Sequence, residues 1–437
     1  MFETLRNAFR IKEIRRRIFY VLLMLVVVRI GTQLPVPGVN SNFFKEWFEN
    51  QTGDAFNFLD AFTGGSFSSF SIFALNITPY ITSSIIIQLL TIAIPALEEM
   101  QKDGEDGRKK LVAITRYVTV ALALMEGIAM TIGFGNQGLI TDMNISKVIV
   151  VVASLTAGSA FLMWVGEQIN DKGIGNGISI VLIINIVSRI PSDLVSLFET
   201  FVKGKTIARG ALALLIIAVI IIAMVVLVVI LNDAIRRIPV QYSKKMQGRK
   251  TFGGQSTNIP LKINTAGVMP VIFASTLLSL PNIIASFAGY QGTGIGAKIL
   301  NTLNSNNWFS RSNPVYSIGL VLYIVLLIFF AYFYTSITFN PLEVADNMKK
   351  QGGFIPGIRP GKPTVDYLQN VLNYIIFIGA VGLTIIAVIP FFFNGMFGAD
   401  VSFGGTSIII VVSVVLETMA QMESMMLVRN YRGFLND

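Results

Sequence analysis

Long uninterrupted runs of apolar residues dominate the pattern of the chain. The clearest run, Ala211–Leu231, has 21 consecutive apolar residues, of which 16 are Ile, Leu or Val. A helix that crosses the hydrocarbon core of a bilayer needs roughly 20 apolar residues, because no water is there to satisfy its backbone groups. The branched residues favour insertion by about 5 to 10 kcal/mol in total. This run is therefore predicted to span a membrane as a helix.

Further apolar blocks follow the same pattern with varying strength. They are Ile18–Leu34, Ser71–Ile94, Leu111–Phe134, Lys147–Gly166, Ile178–Phe198, Ala266–Ala288, Val315–Ser336, Tyr367–Phe391 and Gly405–Val428. With the first run they predict an all-α polytopic membrane protein with ten transmembrane helices. An even number of spans places both termini on one side, and the basic stretch Arg6–Arg17 indicates that this side is the cytoplasm.

The distribution of Lys and Arg supports this topology. The chain has 34 of these residues against 25 Asp and Glu, a net charge of +9. Loops assigned to the cytoplasm carry 24 of the 34 and outer loops carry 7, while Arg29, Arg116 and Arg189 lie within spans. This is the positive-inside bias of membrane proteins. Because 53% of residues are hydrophobic and only 14% are charged, soluble, disordered and fibrous classes are excluded.

The chemistry available to the chain is limited, because it contains no Cys and no His. Disulfides, thiolate or imidazole zinc sites, Cys nucleophiles and Ser-His triads are therefore excluded. No phosphate-binding or dinucleotide motif is complete, so no cofactor or metal is predicted and an enzyme is not expected. Two carboxylates, Glu126 and Glu417, lie within spans and are candidates for proton or cation sites. The alternative for Glu417 is that it faces a hydrated vestibule on the cytoplasmic side.

Two spans are poor transmembrane helices. The second span contains Pro79 among Asn, Thr and Ser residues, and the seventh contains Pro270 and Pro281. Dividing the chain into residues 1–205 and 206–437 gives two halves of five spans, with the interrupted span second in each. Paired interruptions of this kind indicate an inverted repeat with a functional pathway at its seam. The alternative is that these Ser- and Thr-rich helices simply pack tightly.

The segment Asp54–Phe70, ahead of the second span, contains five Phe. It is too apolar for a solvated loop and too short and rich in Gly and Ser to span. We therefore expect it to fold back into the protein as a re-entrant or cavity-filling element. A surface aromatic belt is the alternative, which the Gly64–Gly65 hinge disfavours.

Two of the predicted cytoplasmic loops, residues 232–265 and 337–366, are large and basic. The first alternates polar and apolar residues on either side of Gln247–Lys250, which is typical of an exposed hairpin. Cationic inner loops usually only fix topology and contact anionic lipids. The size and turn chemistry of these two favour docking sites for an acidic protein face or for RNA phosphates.

Short motifs are spread along the whole chain. They are Pro79-Tyr80-Ile81 with Ile85–Leu90, Gly166-Glu167-Gln168 with Gly173–Ser179, Gln255-Ser256-Thr257, Ala266-Gly267-Val268, Phe339-Asn340-Pro341, Ala345-Asp346-Asn347, Pro356–Gly361 and Phe403–Ser407. These motifs resemble those of the SecY/translocon alpha family, the channel subunits of protein translocases. Their number and order make the resemblance specific.

The resemblance implies two five-helix halves with a lateral gate between helices 2 and 7, and a pore with an aliphatic waist. By position, the pore ring would be Ile77, Ile81, Ile178, Leu182, Ile272 and Ile410. Leu182 stands where Ile is commoner, which should matter little because the ring needs only apolar bulk. The plug that closes the outer funnel would include Phe56, Phe58, Leu59, Phe62, Gly64 and Gly65.

The resemblance also implies partners. Arg249, Lys250 and Arg359 match docking residues for the SecA ATPase and the ribosome, whereas Leu342 stands where the family often has Arg. SecE and SecG would complete the complex. Signal peptides and nascent or precursor polypeptides would be its cargo, with anionic lipids and accessory insertion and translocation factors as further contacts. The expected location is the bacterial cytoplasmic membrane.

The sequence therefore predicts a passive, gated channel for unfolded polypeptides, which also releases transmembrane segments laterally. The competing hypothesis is an ion-coupled secondary transporter that uses Glu417 as its coupling carboxylate.

Overall fold

A computed structural model describes most of the chain: residues 2–40, 44, 60, 63–140, 144–202, 207–242, 245–247, 250–252, 256–287, 294–309, 314–397 and 405–433. These residues are mostly helical. The α-helices are α1 (Phe2–Arg10), α2 (Lys12–Thr32), α3 (Thr78–Ala93), α4 (Pro95–Lys102), α5 (Gly104–Phe134), α6 (Ile145–Lys172), α7 (Gly177–Phe201), α8 (Ile207–Asp233), α9 (Met269–Phe287), α10 (Ile295–Leu303), α11 (Ile318–Thr338), α12 (Pro341–Lys350), α13 (Lys362–Phe397) and α14 (Gly405–Gly433). The strands are β1 (Ile235–Tyr242), β2 (Lys245–Gln247), β3 (Lys250–Phe252), β4 (Ser256–Lys262) and β5 (Gly353–Phe354).

Among the described residues, six helices are long and apolar enough to cross a membrane, or seven if the bent pair α3 and α4 forms one span. The six are Gly104–Phe134, Ile145–Lys172, Leu214–Asp233, Pro314–Lys350, Lys362–Ile389 and Ser407–Met426. Two shorter apolar helices, Gly177–Ser192 and Met269–Asn282, coincide with the fifth and seventh predicted spans. The length and composition of these helices agree with a multi-pass membrane protein.

The chain forms two compact units. The first comprises Met1–Ser196, Pro281–Leu300 and Val414–Asp437, and the second comprises Leu197–Leu280 and Asn301–Ser413.

The helices α3, α5 and α6 form the core of the first unit. The hydroxyls of Ser83 on α3 and Thr119 on α5 lie 2.6 Å apart in a buried hydrogen bond. Helices approach closely in membranes where such small residues face each other. At Gly158 on α6, an added Cβ would lie 2.1 Å from the carbonyl oxygen of Ile72. The absence of a side chain at Gly158 therefore allows the backbone that precedes α3 to pack directly against α6.

The second unit joins the two large basic loops in one sheet. Strand β1 pairs antiparallel with β4 from Ile235↔Lys262 to Gln241↔Ser256, and it pairs with β5 through Gln241↔Phe354. Ile238 and Val240 point into the core below this sheet, where they meet α13 residues such as Leu368. The inner pair β2 and β3 closes a hairpin, with Gln247 opposite Lys250. The hairpin predicted around Gln247–Lys250 is thus confirmed.

The second predicted span begins later as a helix than its hydropathy indicates. The apolar block starts at Ser71, but residues 72–77 form turns and α3 begins at Thr78. Pro79 occupies the first helical turn, where its missing N–H is no loss. Asn76 adopts a φ of 52°, which ends any helix upstream of it. The helix then bends by 102° into α4 at Pro95.

The close approach at Gly158 predicts a large penalty for one added methyl group. We expect Gly158→Ala to destabilise the protein by about 1 to 3 kcal/mol, because the carbonyl of Ile72 is backbone and cannot rotate away. The matched control is Gly127→Ala on α5, where the new Cβ would meet its nearest atoms at an ordinary 3.7 Å. Thermal unfolding in detergent should show a lower midpoint for the first variant only. Equal midpoints would contradict the packing described here.

Candidate functional site

The first unit contains a stretch made mostly of turns, residues 63–77, which we call the turn segment. It lies between α2 and α3, and its Phe67 and Phe70 are 3% and 0% exposed. The N–H of Val36 donates to the carbonyl of Phe70 over 3.2 Å, so the segment also pairs with the chain that leaves α2. For residues 63–70, this burial agrees with the predicted fold-back and not with a surface aromatic belt. The predicted plug residues Phe56, Phe58, Leu59 and Phe62 lie outside the described residues.

Aromatic rings pack against the Phe side chains of the turn segment. Phe44 makes edge-to-face contacts with Phe67, Phe70 and Phe134 at centroid distances of 5.7, 5.0 and 5.1 Å. Each such pair is worth about 0.5 to 1.5 kcal/mol beyond the area that it buries. The remaining neighbours are aliphatic residues of α5 and α6, such as Leu155. The cluster therefore stabilises the buried positions of Phe67 and Phe70.

The backbone of the segment is strained in spite of this packing. Gly64 and Gly65 have φ values of 66° and 87°, which glycine adopts freely. Phe70, however, has a φ of 45°, and such a conformation costs a bulky residue about 1 to 3 kcal/mol. The hydroxyls of Ser66 and Ser71 are also buried without a hydrogen-bond partner among the described residues. The backbone strain at Phe70 and the two unpaired hydroxyls therefore raise the free energy of this conformation of the segment.

Both ends of the turn segment contact α7, one through a hydrogen bond and the other through close backbone packing. The side-chain amide of Asn185 donates to Asn76 Oδ1 over 3.1 Å, and both residues are 1% exposed. An added Cβ at Gly64 would lie 2.9 Å from the Asn185 Cα, so the glycine backbone rests directly on this helix. Gly64 is a predicted plug residue. Its close contact with α7 requires glycine, because any Cβ at this position would clash with Asn185.

Charged side chains also reach the segment from two helices. Arg189 on α7 forms an ion pair with Asp60, whose side chain is 3% exposed. The Asp60 Oδ1 accepts the N–H of Ser68 over 2.8 Å. From α2, Arg29 Nη1 donates to the carbonyl of Gly64 over 3.2 Å.

Sequence reasoning missed these contacts. Hydropathy identifies Arg29 and Arg189 only as cations within spans, and it does not distinguish Asp60 from other loop carboxylates. An isolated Arg in an apolar span needs a partner. Asp60 is the one carboxylate of Asp54–Phe70 that the structure describes. The need of the spans' Arg residues for a partner was therefore the available signal for it.

The first unit holds the N-terminal members of the predicted pore ring. Ile77 is fully buried immediately before α3, and Ile81 lies one turn later, half-buried. Ile178 and Leu182 lie on α7, and Leu182 is three residues before Asn185. The Asn185–Asn76 hydrogen bond thus brings the start of α3 beside α7 next to these ring residues.

The second unit holds the remaining two ring residues. Ile272 on α9 is 7% exposed and Ile410 on α14 is 1% exposed. Three residues after Ile410, Ser413 ends a chain of side-chain hydrogen bonds. Asn264 donates to Asn232 over 2.9 Å, and Asn232 donates to Ser413 over 2.7 Å. Convergence of all six ring residues on one axis stays a prediction.

The predicted docking residues are only partly described. Arg249 lies outside the described residues, and the backbone of Lys250 starts β3. Arg359 is exposed in a turn between β5 and α13, flanked by Gly357 and Gly361 with φ values of 85° and 107°. The β4-β1-β5 sheet joins the two loops that carry these cations.

The two candidate carboxylates for ion coupling lie on different helices. Glu126 is half-buried on α5, and Glu417 is exposed on α14. The described residues contain no group of three or more Asp and Glu side chains that could hold a metal ion.

Comparison with known proteins gives a consistent result. The chain is 43% identical over 444 residues to the protein translocase subunit SecY of Halalkalibacterium halodurans, and the alignment covers all of both chains. The fold is similar to that of a solved protein-conducting channel, with a TM-score of 0.64 at 19% identity over 94% of this chain and 92% of the other. It is also similar to Sec61 in a canine ribosome–channel complex, with a TM-score of 0.61 at 18% identity over 94% and 92% of the two chains. A model of the SecY family matches residues 71–419. The chain therefore belongs to the SecY family.

Proposed function

We propose that the chain forms the channel through which unfolded secretory polypeptides cross the bacterial cytoplasmic membrane, and from which transmembrane segments leave sideways into lipid. The full-length similarity to a protein translocase subunit supports this function. The observation that carries the proposal is the buried turn segment, which packs on α7 beside the predicted ring residues at the start of α3. A non-helical backbone at this depth is tolerated only where protein or a water-filled cavity surrounds it.

The proposed channel has ten transmembrane helices in two inverted halves, residues 1–205 and 206–437, with both termini in the cytoplasm. The lateral gate lies between α3 and α9, the helices of the second and seventh predicted spans. The six aliphatic ring residues form the waist. A narrow apolar ring disfavours water and therefore ions, whereas an extended peptide can push its side chains apart. Because the ring offers no hydrogen bonds, it tolerates any passing sequence.

The proposed partners follow from the family and from the basic surface. SecE and SecG complete the complex, and the SecA ATPase or the translating ribosome drives transport. The solved Sec61 relative comes from a complex with a ribosome. The sheet of the second unit supports such docking, because it makes one platform from the two large cationic loops. Anionic lipids and accessory insertion and translocation factors are further proposed contacts.

Reconstitution tests the proposed function directly. Proteoliposomes that contain the chain with SecE and SecG should protect a secretory precursor from protease when SecA and ATP are added. We expect Glu417→Gln to leave this protection intact, because a passive channel needs no coupling carboxylate. Absence of any ATP-dependent protection would contradict the channel. Loss of transport in Glu417→Gln alone would favour the ion-coupled transporter instead.

The ring assignment predicts an ion leak. Ile81→Gly combined with Ile272→Gly should raise the resting conductance of the reconstituted channel, because removing apolar bulk from the waist lets water enter. Planar-bilayer recordings without precursor measure this effect. The matched control is Ile222→Gly, since Ile222 is 62% exposed on α8 and is not part of the ring. Unchanged conductance in the double variant would reject these two ring residues.

The docking assignment predicts a selective loss of driven transport. Arg359→Glu should weaken SecA-driven import much more than it lowers the amount of assembled complex, because Arg359 is exposed. Stimulation of the SecA ATPase and precursor protection are both measured. Lys109→Glu provides the control, an exposed cation on α5 outside both basic loops. Parallel losses of import and assembly would contradict the docking role.

A further inference from the structure

We propose that Asn232, Asn264 and Ser413 form a polar joint that couples the β4-β1-β5 sheet to the first turn of α9. Through this joint, SecA bound to the basic loops positions the gate helix and its ring residue Ile272. The inference rests on the proposed channel function and goes beyond it, because the three joint residues belong neither to the ring nor to the docking residues.

The polar joint lies directly after the last strand of the sheet. Asn264 follows β4 by two positions, and its side-chain amide donates to Asn232 Oδ1 at the end of α8 over 2.9 Å. The Asn232 amide donates in turn to Ser413 Oγ on α14 over 2.7 Å. Asn264 is 7% exposed, so its amide has little access to water. The segment that leaves the sheet is thereby bonded to two helices from distant parts of the chain.

Backbone contacts hold the residue before Asn264 at the same place. The N–H of Ile263 donates to the carbonyl of Ala234 over 2.9 Å. At Gly379 on α13, an added Cβ would lie 2.5 Å from the Ile263 carbonyl oxygen, so the two backbones are in direct contact. Ile263 also packs against the apolar cluster that contains Ile238 of the sheet. The end of the sheet is therefore fixed on α8 and α13 as well as on α14.

The connection from the polar joint to the ring residue is short. Four residues, 265–268, separate Asn264 from the start of α9 at Met269. Within this connection Ala266 is only 5% exposed. The carbonyl of Val268 accepts the N–H of Ile272 over 3.2 Å, which closes the first turn of the helix. The position of Asn264 therefore determines where α9 begins, and with it the position of Ile272.

Hydrogen bonds suit such a joint better than apolar packing. A buried amide that loses its partner costs free energy, so the amides of Asn232 and Asn264 favour the single arrangement in which every bond forms. Apolar side chains of suitable volume tolerate several arrangements at little cost. The polar joint thus keeps the sheet and the start of α9 in one relative position. Its loss should let them move independently, while the packing of the sheet on α13 remains.

Spin-label distances within the second unit test the polar joint without any transport. The chain has no Cys, so nitroxide labels attach only at introduced cysteines. Labels at Thr257→Cys on β4 and Leu277→Cys on α9, both exposed, should give one narrow distance distribution. Asn264→Leu removes the amide but keeps a branched side chain, and it should broaden this distribution. Thr257→Cys with Ile378→Cys, an exposed position on α13, should stay narrow with and without Asn264→Leu.

Transport by the reconstituted complex of the chain with SecE and SecG tests the coupling to SecA. Two precursors are compared, one with an intact signal peptide and one whose signal core has two Leu replaced by polar residues. Asn264→Leu should bind SecA with native affinity, because the sheet keeps its own core. It should slow import of the weakened precursor several-fold more than that of the intact one, since a weakly apolar signal depends more on SecA to open the gate.

Further variants grade the effect. Ser413→Ala spares the bond between Asn264 and Asn232 and should lose less import than Asn264→Leu. Ser413→Thr keeps the hydroxyl and should match the native chain. Asn370→Leu is the matched control, because Asn370 is an exposed amide on α13 outside the polar joint.

Three results would overturn the polar joint: a narrow β4–α9 distribution in Asn264→Leu, a loss of SecA binding in parallel with import, or equal import rates of Asn264→Leu and the native chain for the weakened precursor. Equal slowing of both precursors would also contradict it, because general destabilisation acts on both alike. Failure of the native complex to import even the intact precursor would instead overturn the proposed function, and the label distances would still decide whether the joint exists.

Discussion

A peptide backbone inside a bilayer has no water to bind, so every N–H and C=O must find a partner within the protein. The helices meet this requirement through their own hydrogen bonds, but the turn segment cannot. It relies on local turns and on side-chain oxygens: Thr63 Oγ1 accepts the N–H of Phe67 over 3.2 Å, and Asp60 accepts that of Ser68. Its Gly, Ser and Thr content follows from this requirement. So does its burial, since such a backbone could not face lipid.

Access to water also determines how strongly the loss of one partner of an ion pair destabilises the protein. At an exposed site, an ion pair contributes about 0 to 1 kcal/mol, because solvent screens it and the side chains lose freedom. At a buried site, removing one partner costs about 3 to 5 kcal/mol, because the other charge is left without compensation. Asp60 and Arg189 belong to the second class by their exposure, and the pair on the surface helix α4, Lys102 with Glu98, belongs to the first. A few buried groups can therefore govern a segment that many aromatic contacts also hold.

The large loops of the second unit obtain their backbone hydrogen bonds from a sheet. They extend beyond the helices, where water is available, and there a three-stranded sheet gives them shape. The inward-facing Ile238 and Val240 fix the sheet on α13, while Arg236 and Arg237 stay exposed. A platform of this kind presents cations in a fixed arrangement without extra cost of ordering on binding. In the proposed channel, this fixed arrangement of cations would serve docking.

The sequence alone was enough to predict the apolar helices, the hairpin around Gln247–Lys250 and the fold-back of residues 63–70. Each of these depends on local periodicity, local turn residues or the length needed to cross a bilayer, which are properties of neighbouring positions. Hydropathy could not predict that α3 begins at Thr78 and not near Ser71, because a buried turn is as apolar as a buried helix. Nor could it pair Asp60 with Arg189 or Asn76 with Asn185. Those partners come from distant parts of the chain, and only the packing of α2, α3 and α7 around one segment decides which side chains meet.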